Sequence, residues 1–307
     1  MAPIIERVSE SRLVSESPHW DVETQSLYYI DSFGKSIHKY TPSTNLHAKA
    51  TIGHVSFIIP VEGKPNQFVT AIDHEFQLIT WDGISDTVSN VQKIAEVDNQ
   101  PGLEGNRIND GKADPTGRLW AGTVCFDIVT CVNTPHRGIL YSIDKDRQVK
   151  SHVSKVSMSN GLAWNASLKK FYYIDSVEKR VDEFDFDAES GTIKNRKPLF
   201  TLEKHNINGL PDGQTIDADG NLWVALFGGS KVIKIDSRNP ETLLDTIELP
   251  VPQVTSVAFG GANLDELYVT TANIPNVADD VLPPESGCVF RITGLGVKGF
   301  PGVRVKM

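Results

Sequence analysis

The sequence predicts an all-β fold: a six-bladed β-propeller of four-stranded blades, one domain over 1–307, closed by pairing of its N- and C-terminal segments. Two observations carry this expectation. A strand-like motif returns six times at blade-length intervals, and no stretch shows a helical period of useful length.

The motif reads QSLYYIDS at 25–32, NQFVTAID at 66–73, GRLWAGTV at 117–124, KKFYYIDS at 169–176, GNLWVALF at 220–227 and DELYVTTA at 265–272. In each copy a polar pair or turn precedes a run of aromatic and aliphatic residues. The anchors Leu27, Phe68, Leu119, Phe171, Leu222 and Leu267 recur at intervals of about 40 to 52 residues, the period of propeller blades and not of short solenoid repeats. A further strand follows each anchor: SIHKYTP at 36, FQLITWD at 76, GILYSID at 138, VDEFDFD at 181, KVIKIDS at 231 and GCVFRIT at 287. All alternate with period two, as half-buried strands do.

An earlier segment precedes each anchor: SESPHWD at 15, VSFIIPV at 55, NDGKADP at 109, SNGLAWN at 159, PDGQTID at 211 and TSVAFGG at 255. These are the expected innermost strands. Turn residues such as Asp114-Pro115-Thr116-Gly117 and Asp219-Gly220 separate them from the anchor strands. Asn160-Gly161 and Asp212-Gly213 lie at the opposite end of their strands, so a hairpin role for them is disfavoured. Fourth strands fall in intervals such as AKATIGH and RKPLFTL. The N-terminal PIIERVS is expected to complete the sheet formed by 255–293, leaving no open seam.

Composition narrows the function. At 39% apolar content the 307 residues can bury a large core, and a formal charge of −9 with no basic run argues against nucleic acid or an anionic membrane as partner. A small-molecule ligand, a monomer and a cytoplasmic location are expected, since no targeting or membrane-spanning stretch is apparent. Cys125, Cys131 and Cys288 are too few for a disulfide framework, although Cys125 and Cys131 are near enough in sequence to bridge. Trp20, Trp120, Trp164 and Trp223 are expected to pack between blades, and His19, His54 and His74 to meet backbone carbonyls.

Innermost strands surround the propeller axis, so equivalent positions form a ring. Counting back from the anchors places Glu16, Asn109, Asn160, Asp212 and Ser256 on it, with Ser56 or His54 from the second blade. No lysine or arginine shares that register, and buried carboxylates without a counter-charge are costly. One divalent cation is the expected remedy. An all-oxygen donor set points to Ca²⁺ or Mg²⁺, with Mn²⁺ or Zn²⁺ also compatible.

The phrases SESPHWD, NRINDGKADPTGRLWAGT, SNGLAWN, FYYIDS, LPDGQTIDADGNLWVA and FGGANLDELYVT together resemble the regucalcin/gluconolactonase (senescence marker protein) family over essentially the whole chain, most closely its insect branch. The resemblance implies a six-bladed propeller with one catalytic divalent ion held by Glu16, Asn160 and Asp212, with Arg107 and Asn109 contacting substrate. It also implies an acidic substrate contact after Ala-Gly-Thr; no identical glutamate is present, and Asp127 stands nearest, in a lid-like stretch reading VCFDIVTCVN. Phe126 and its apolar neighbours suit a flatter, aromatic ligand than a sugar lactone. Asp212 is then the expected general base in opening a cyclic ester-like ring. For the insect branch this means converting oxyluciferin to 2-cyano-6-hydroxybenzothiazole. The alternatives are a gluconolactonase-type sugar lactonase, a calcium-binding regulatory protein without essential catalysis, and an interaction platform; an axial ring of polar residues disfavours the last.

Overall fold

The computed structural model describes residues 2–127, 132–275 and 281–307, apart from the side chain of Asp127. Six antiparallel sheets follow one another along the chain, and in five of them four strands are ordered from the axis outward or close the ring. The innermost strands are Ser15–Asp21, Val55–Pro60, Asn106–Ala113, Ser159–Asn165, Leu210–Ile216 and Val254–Gly260. Each of them packs against both of its ring neighbours, the sixth against the first. The six-bladed propeller expected from the repeats is therefore the observed fold.

Closure also follows expectation. Ile4–Arg7 pairs antiparallel with Phe290–Thr293, from Ile4 opposite Thr293 to Arg7 opposite Phe290, as outer strand of the sixth blade. The first strand of the chain thereby covers an edge that would otherwise offer unpaired backbone groups.

The third blade departs from the four-stranded plan. Its second strand, Leu119–Asp127, runs to nine residues and overshoots the sheet. Past the blade edge it pairs with a short additional strand, Val132–Asn133, Phe126 facing Asn133. The described part of the lid-like stretch is thus an antiparallel strand pair beyond the blade edge. Cys131, and with it the question of a bridge to Cys125, lies outside the described residues.

The core is divided among the blade junctions. Six apolar clusters each join two adjacent blades. Trp20 stacks on Tyr268 at 5.4 Å where the sixth blade meets the first, Trp120 meets Phe171 at 5.3 Å between the third and fourth, and Trp223 meets Phe259 at 5.7 Å between the fifth and sixth. These tryptophans are packing residues, as expected, each contributing about 1.5 to 3 kcal/mol by burial. The recurring motif also recurs in its bonds. Asp114 and Asp217 each accept from the indole N–H six residues on, Trp120 and Trp223, at 3.0 Å in both cases.

The YYIDS copies position the axis. Asp31 accepts from the Val14 amide at 3.0 Å, and Asp175 from the Ser157 and Met158 amides at 2.8 and 2.9 Å. Each carboxylate thus anchors the backbone leading into an innermost strand, two residues before Glu16 in one blade and before Asn160 in the other.

Candidate active site and ion centre at one mouth of the channel

Every innermost strand loses regular pairing near its N-terminal end. The register shifts fall between Glu16 and His19, Val55 and Ile58, Ile108 and Gly111, Asn160 and Leu162, Pro211 and Gln214, and Val254 and Ser256. Each is a bulge, which breaks the in–out alternation and re-aims side chains. Gly161 and Gly213 are required there by close approach: a β-carbon on Gly161 would lie 2.6 Å from the Asp212 carbonyl oxygen, and one on Gly213 would lie 2.7 Å from the Ser256 α-carbon.

The bulges open a chamber of about 400 Å³. Glu16, Asn109, Asn160, Asp212 and Ser56 all line it, so the expected ring converges; His54 does not, and the sixth blade contributes Thr255 in place of the expected Ser256. The bulge between Val254 and Ser256 accounts for that one-residue difference. Arg107 and Phe126 line the chamber too, with Phe33 and Phe227 as further aromatic walls. The Asp127 side chain lies outside the described residues.

Hydrogen bonds order the amides. Arg107 Nη1 donates to Asn109 Oδ1 at 2.8 Å, and Asn109 Nδ2 donates to Asn160 Oδ1 at 2.9 Å and to the Ser159 carbonyl at 2.8 Å. Asn160 Nδ2 donates to Ser176 Oγ at 2.8 Å, which in turn donates to the Pro211 carbonyl at 2.7 Å. In this chain the Asn160 side-chain oxygen accepts one hydrogen bond, from Asn109, and keeps a second lone pair. Arg107 is bonded within this network, while Glu104 sits beside Arg137.

Two ionisable groups escaped the sequence reading. Asp110 lines the chamber beside Asn109, although adjacent residues of a regular strand face opposite ways. The bulge between Ile108 and Gly111 brings both to the axis. Lys112 follows on the same strand and donates to the Gln214 carbonyl at 2.6 Å. The ring register itself holds no lysine or arginine, as expected, but an ammonium from outside that register crosses from the third blade toward the fifth, and the signal was the lysine of Asn-Asp-Gly-Lys.

The electrostatics follow from burial and crowding. Burial, then the Asp110 charge, push the Glu16 carboxyl up to about 8, against the Ser17 amide and Lys112, which pull it down. Asp212 is raised well above the usual carboxylate range by burial and then by Glu16 and Asp110. Burial likewise raises Asp110. Arg107 is lowered to about 10 by burial, opposed by Asp73. Carboxyl groups that hold protons so firmly are short of positive charge.

Glu16 and Asp212 together with the Asn160 amide oxygen offer hard oxygen donors, a chemistry that fits Ca²⁺ or Mg²⁺. Among the described residues no three His, Cys, Asp or Glu side chains are gathered as ligands, so such a set relies on the amide. The histidines stand apart. His54 faces Asp73 at 3.5 Å and His74 faces Glu96 at 3.4 Å, carboxylates and not the backbone carbonyls expected, while His19 Nε2 is buried without a partner.

Comparison with known proteins agrees with this architecture. Residues 14–273 match the family model described as SMP-30/Gluconolactonase/LRE-like region. The chain is 39% identical to human regucalcin over 285 residues, 92% of each chain, and 36% identical to the Danio rerio regucalcin over 296 residues, 96% of this chain and 95% of the relative. A solved luciferin-regenerating enzyme superposes with a TM-score of 0.94 at 48% identity, covering 100% of both chains. A regucalcin from Agrobacterium tumefaciens, described as a calcium-binding protein, superposes with a TM-score of 0.84 at 22% identity and covers 98% of this chain and 97% of its own. With its repeats, its ring and these relatives in agreement, the chain belongs to the SMP-30/gluconolactonase/LRE-like family.

Proposed function

We propose that this chain is a divalent-cation-dependent hydrolase that opens a cyclic ester-like ring, and that its substrate is oxyluciferin, converted to 2-cyano-6-hydroxybenzothiazole. The observation that carries the reading is the union, in one chamber, of Glu16, Asn160 and Asp212 with the aromatic walls Phe33, Phe126 and Phe227. The 48% identity over the full length to a luciferin-regenerating enzyme supports it. A sugar lactone would leave those phenylalanines facing hydroxyls, whereas a planar heteroaromatic ligand covers them.

Glu16, Asn160 and Asp212 would hold the cation. Bound there, it supplies Lewis acidity toward a ring carbonyl and makes water at the site more acidic. Asp212, whose carboxyl is raised by burial and by its neighbours, accepts the proton of the water that attacks the ring carbonyl and returns it to the ring nitrogen as the carbonyl carbon–nitrogen bond breaks. The nitrile then forms as the ring carbon–sulfur bond breaks, and the two-carbon fragment leaves as a mercapto acid. Arg107, braced by Asn109 and the Ile108 carbonyl at 3.2 Å, presents a fixed cation to an anionic oxygen of the substrate. Phe126 packs on its ring plane.

The test is turnover of oxyluciferin and gluconolactone side by side, with Mg²⁺, Mn²⁺ and Ca²⁺ in turn. Cyano-benzothiazole formed only with an ion present is the expected result. Lactone turnover without that product would make the protein a sugar lactonase. An ion bound tightly with turnover of neither would favour the regulatory reading.

A further inference from the structure

We infer that Ser176 is a positioning residue of the proposed ion site: its hydroxyl fixes which end of the Asn160 amide faces the ring. The inference rests on the ion reading above and adds to it a residue outside the expected ligand set.

An amide, unlike a carboxylate, can present the wrong end. Asn160 carries an acceptor oxygen and a donor nitrogen on one carbon, and only the oxygen can hold a hard cation. In the first blade the corresponding pair is Glu16 and Ser32, and a carboxylate offers oxygen whichever way it turns. Of the three proposed ligands, Asn160 alone needs its orientation set.

That orientation is imposed from both ends of one hydrogen-bonded chain. At one end Arg107, a donor with no acceptor, donates to Asn109 Oδ1 at 2.8 Å, which turns Asn109 Nδ2 onto Asn160 Oδ1 at 2.9 Å. At the other end the Pro211 carbonyl can only accept. It takes the Ser176 proton at 2.7 Å, so the Ser176 oxygen is left to accept, and Asn160 Nδ2 meets it at 2.8 Å. A half-turn of the Asn160 amide would set nitrogen against nitrogen at Asn109 and oxygen against oxygen at Ser176, losing both bonds.

The serine is held in place by the sheet. It is 1% exposed and lines the chamber, and its backbone amide donates to the Met158 carbonyl at 3.0 Å. Because Pro211 precedes Asp212, the same hydroxyl also joins Ser159–Asn165 to Leu210–Ile216, the strands that carry two of the three proposed ligands.

The test is Ca²⁺ affinity by calorimetry on the full chain, in a cycle of S176A and N160D. With Asn160 in place, S176A is expected to weaken Ca²⁺ about tenfold, the low end for loss of a partner that orients a metal ligand. In N160D either oxygen can face the ion, and the same change should cost no more than about threefold. Unchanged affinity with Asn160 in place, or equal losses in both backgrounds, overturns the inference, because the hydroxyl would then be idle or would act only on the fold. Should S176A fail to fold, S176C takes its place in both backgrounds with the same loss confined to Asn160. Should N160D bind no ion, solvent exchange of the Asn160 side-chain NH₂ protons by NMR decides: S176A should speed it about tenfold, and unchanged exchange overturns the inference. Wild-type protein that binds no Ca²⁺ removes the ion site and this inference with it, whereas Ca²⁺ binding untouched by S176A removes the inference alone.

Discussion

At the N-terminal ends of the six innermost strands the channel presents Glu16, Asn109, Asp110, Asn160 and Asp212, whereas their C-terminal ends present Trp20, Leu162, Trp164, Ile216 and Phe259, with Phe300 to Val303 of the C-terminal segment beside them. The same strands build both. Pairing is regular at the apolar end, where Trp164 faces Phe171, Ile216 faces Leu222 and Phe259 faces Leu267. It is bulged at the polar end. A ladder that keeps its register hands alternate side chains to the blade junctions, and a bulge interrupts that rule where polar groups must converge. The contrast teaches that the chemistry of this propeller resides in six local irregularities and not in the repeat itself.

The sharpest way to break the comparison is Asp212→Ala at the polar end against Thr215→Val three residues away at the apolar end. The first should lower turnover about a thousandfold, as expected for loss of a proton-transfer group, and should strip divalent ion from purified protein by elemental analysis. The second should stay within about twofold of wild type. Equal metal content in Asp212→Ala and wild type would remove the ion assignment.

The bulges themselves can be challenged next. Gly161→Ala forces a methyl group against the Asp212 backbone oxygen, a contact that no side-chain rotation relieves. It should cost about 1 to 3 kcal/mol in urea unfolding and weaken ion binding at the same time. Destabilisation with unaltered ion affinity would separate the bulge from the site.

Phe126→Ala probes the aromatic wall. It should lower the specificity ratio of oxyluciferin over gluconolactone by roughly 5- to 150-fold, the value of one buried aromatic contact. A ratio left unchanged in steady-state kinetics would place substrate selection elsewhere.

The smallest expected effect lies away from both mouths. His38, bonded to Ser36 at 2.9 Å, and His152, bonded to Ser142 at 2.7 Å, are lowered by burial to about 3 and about 4. Both stay neutral in the fold and gain protons on unfolding. Their contribution is present above the unfolded value near 6.5 and is lost as pH falls through about 4 and about 3. Urea midpoints measured from neutral pH to pH ~4 should therefore decline, and His38→Gln should flatten that decline by up to about 1.4 kcal/mol per pH unit. An unaltered slope in His38→Gln would show that this residue is not among the groups responsible.

What the sequence determined alone is the part of the molecule that repeats. Six anchors with alternating apolar residues specify six blades, because each such strand has one way to bury both its faces between neighbours. Glu16, Asn160 and Asp212 were legible for the same reason: their distance from the anchors is nearly constant, and equivalent positions on strands around one axis must meet. The tertiary structure alone decided what depends on the bulges and on reach across the channel. Asp110 joins Asn109 at the axis only because an extra residue breaks the alternation, Thr255 replaces Ser256 by a shift of one residue, and Lys112 meets Gln214 across two blades. Phe33 and Phe227 reach the chamber wall from blades far apart in the chain. A period-two pattern carries no mark of where it is interrupted, and a side chain's partner across the channel is a matter of distance in space that residue spacing along one strand does not encode.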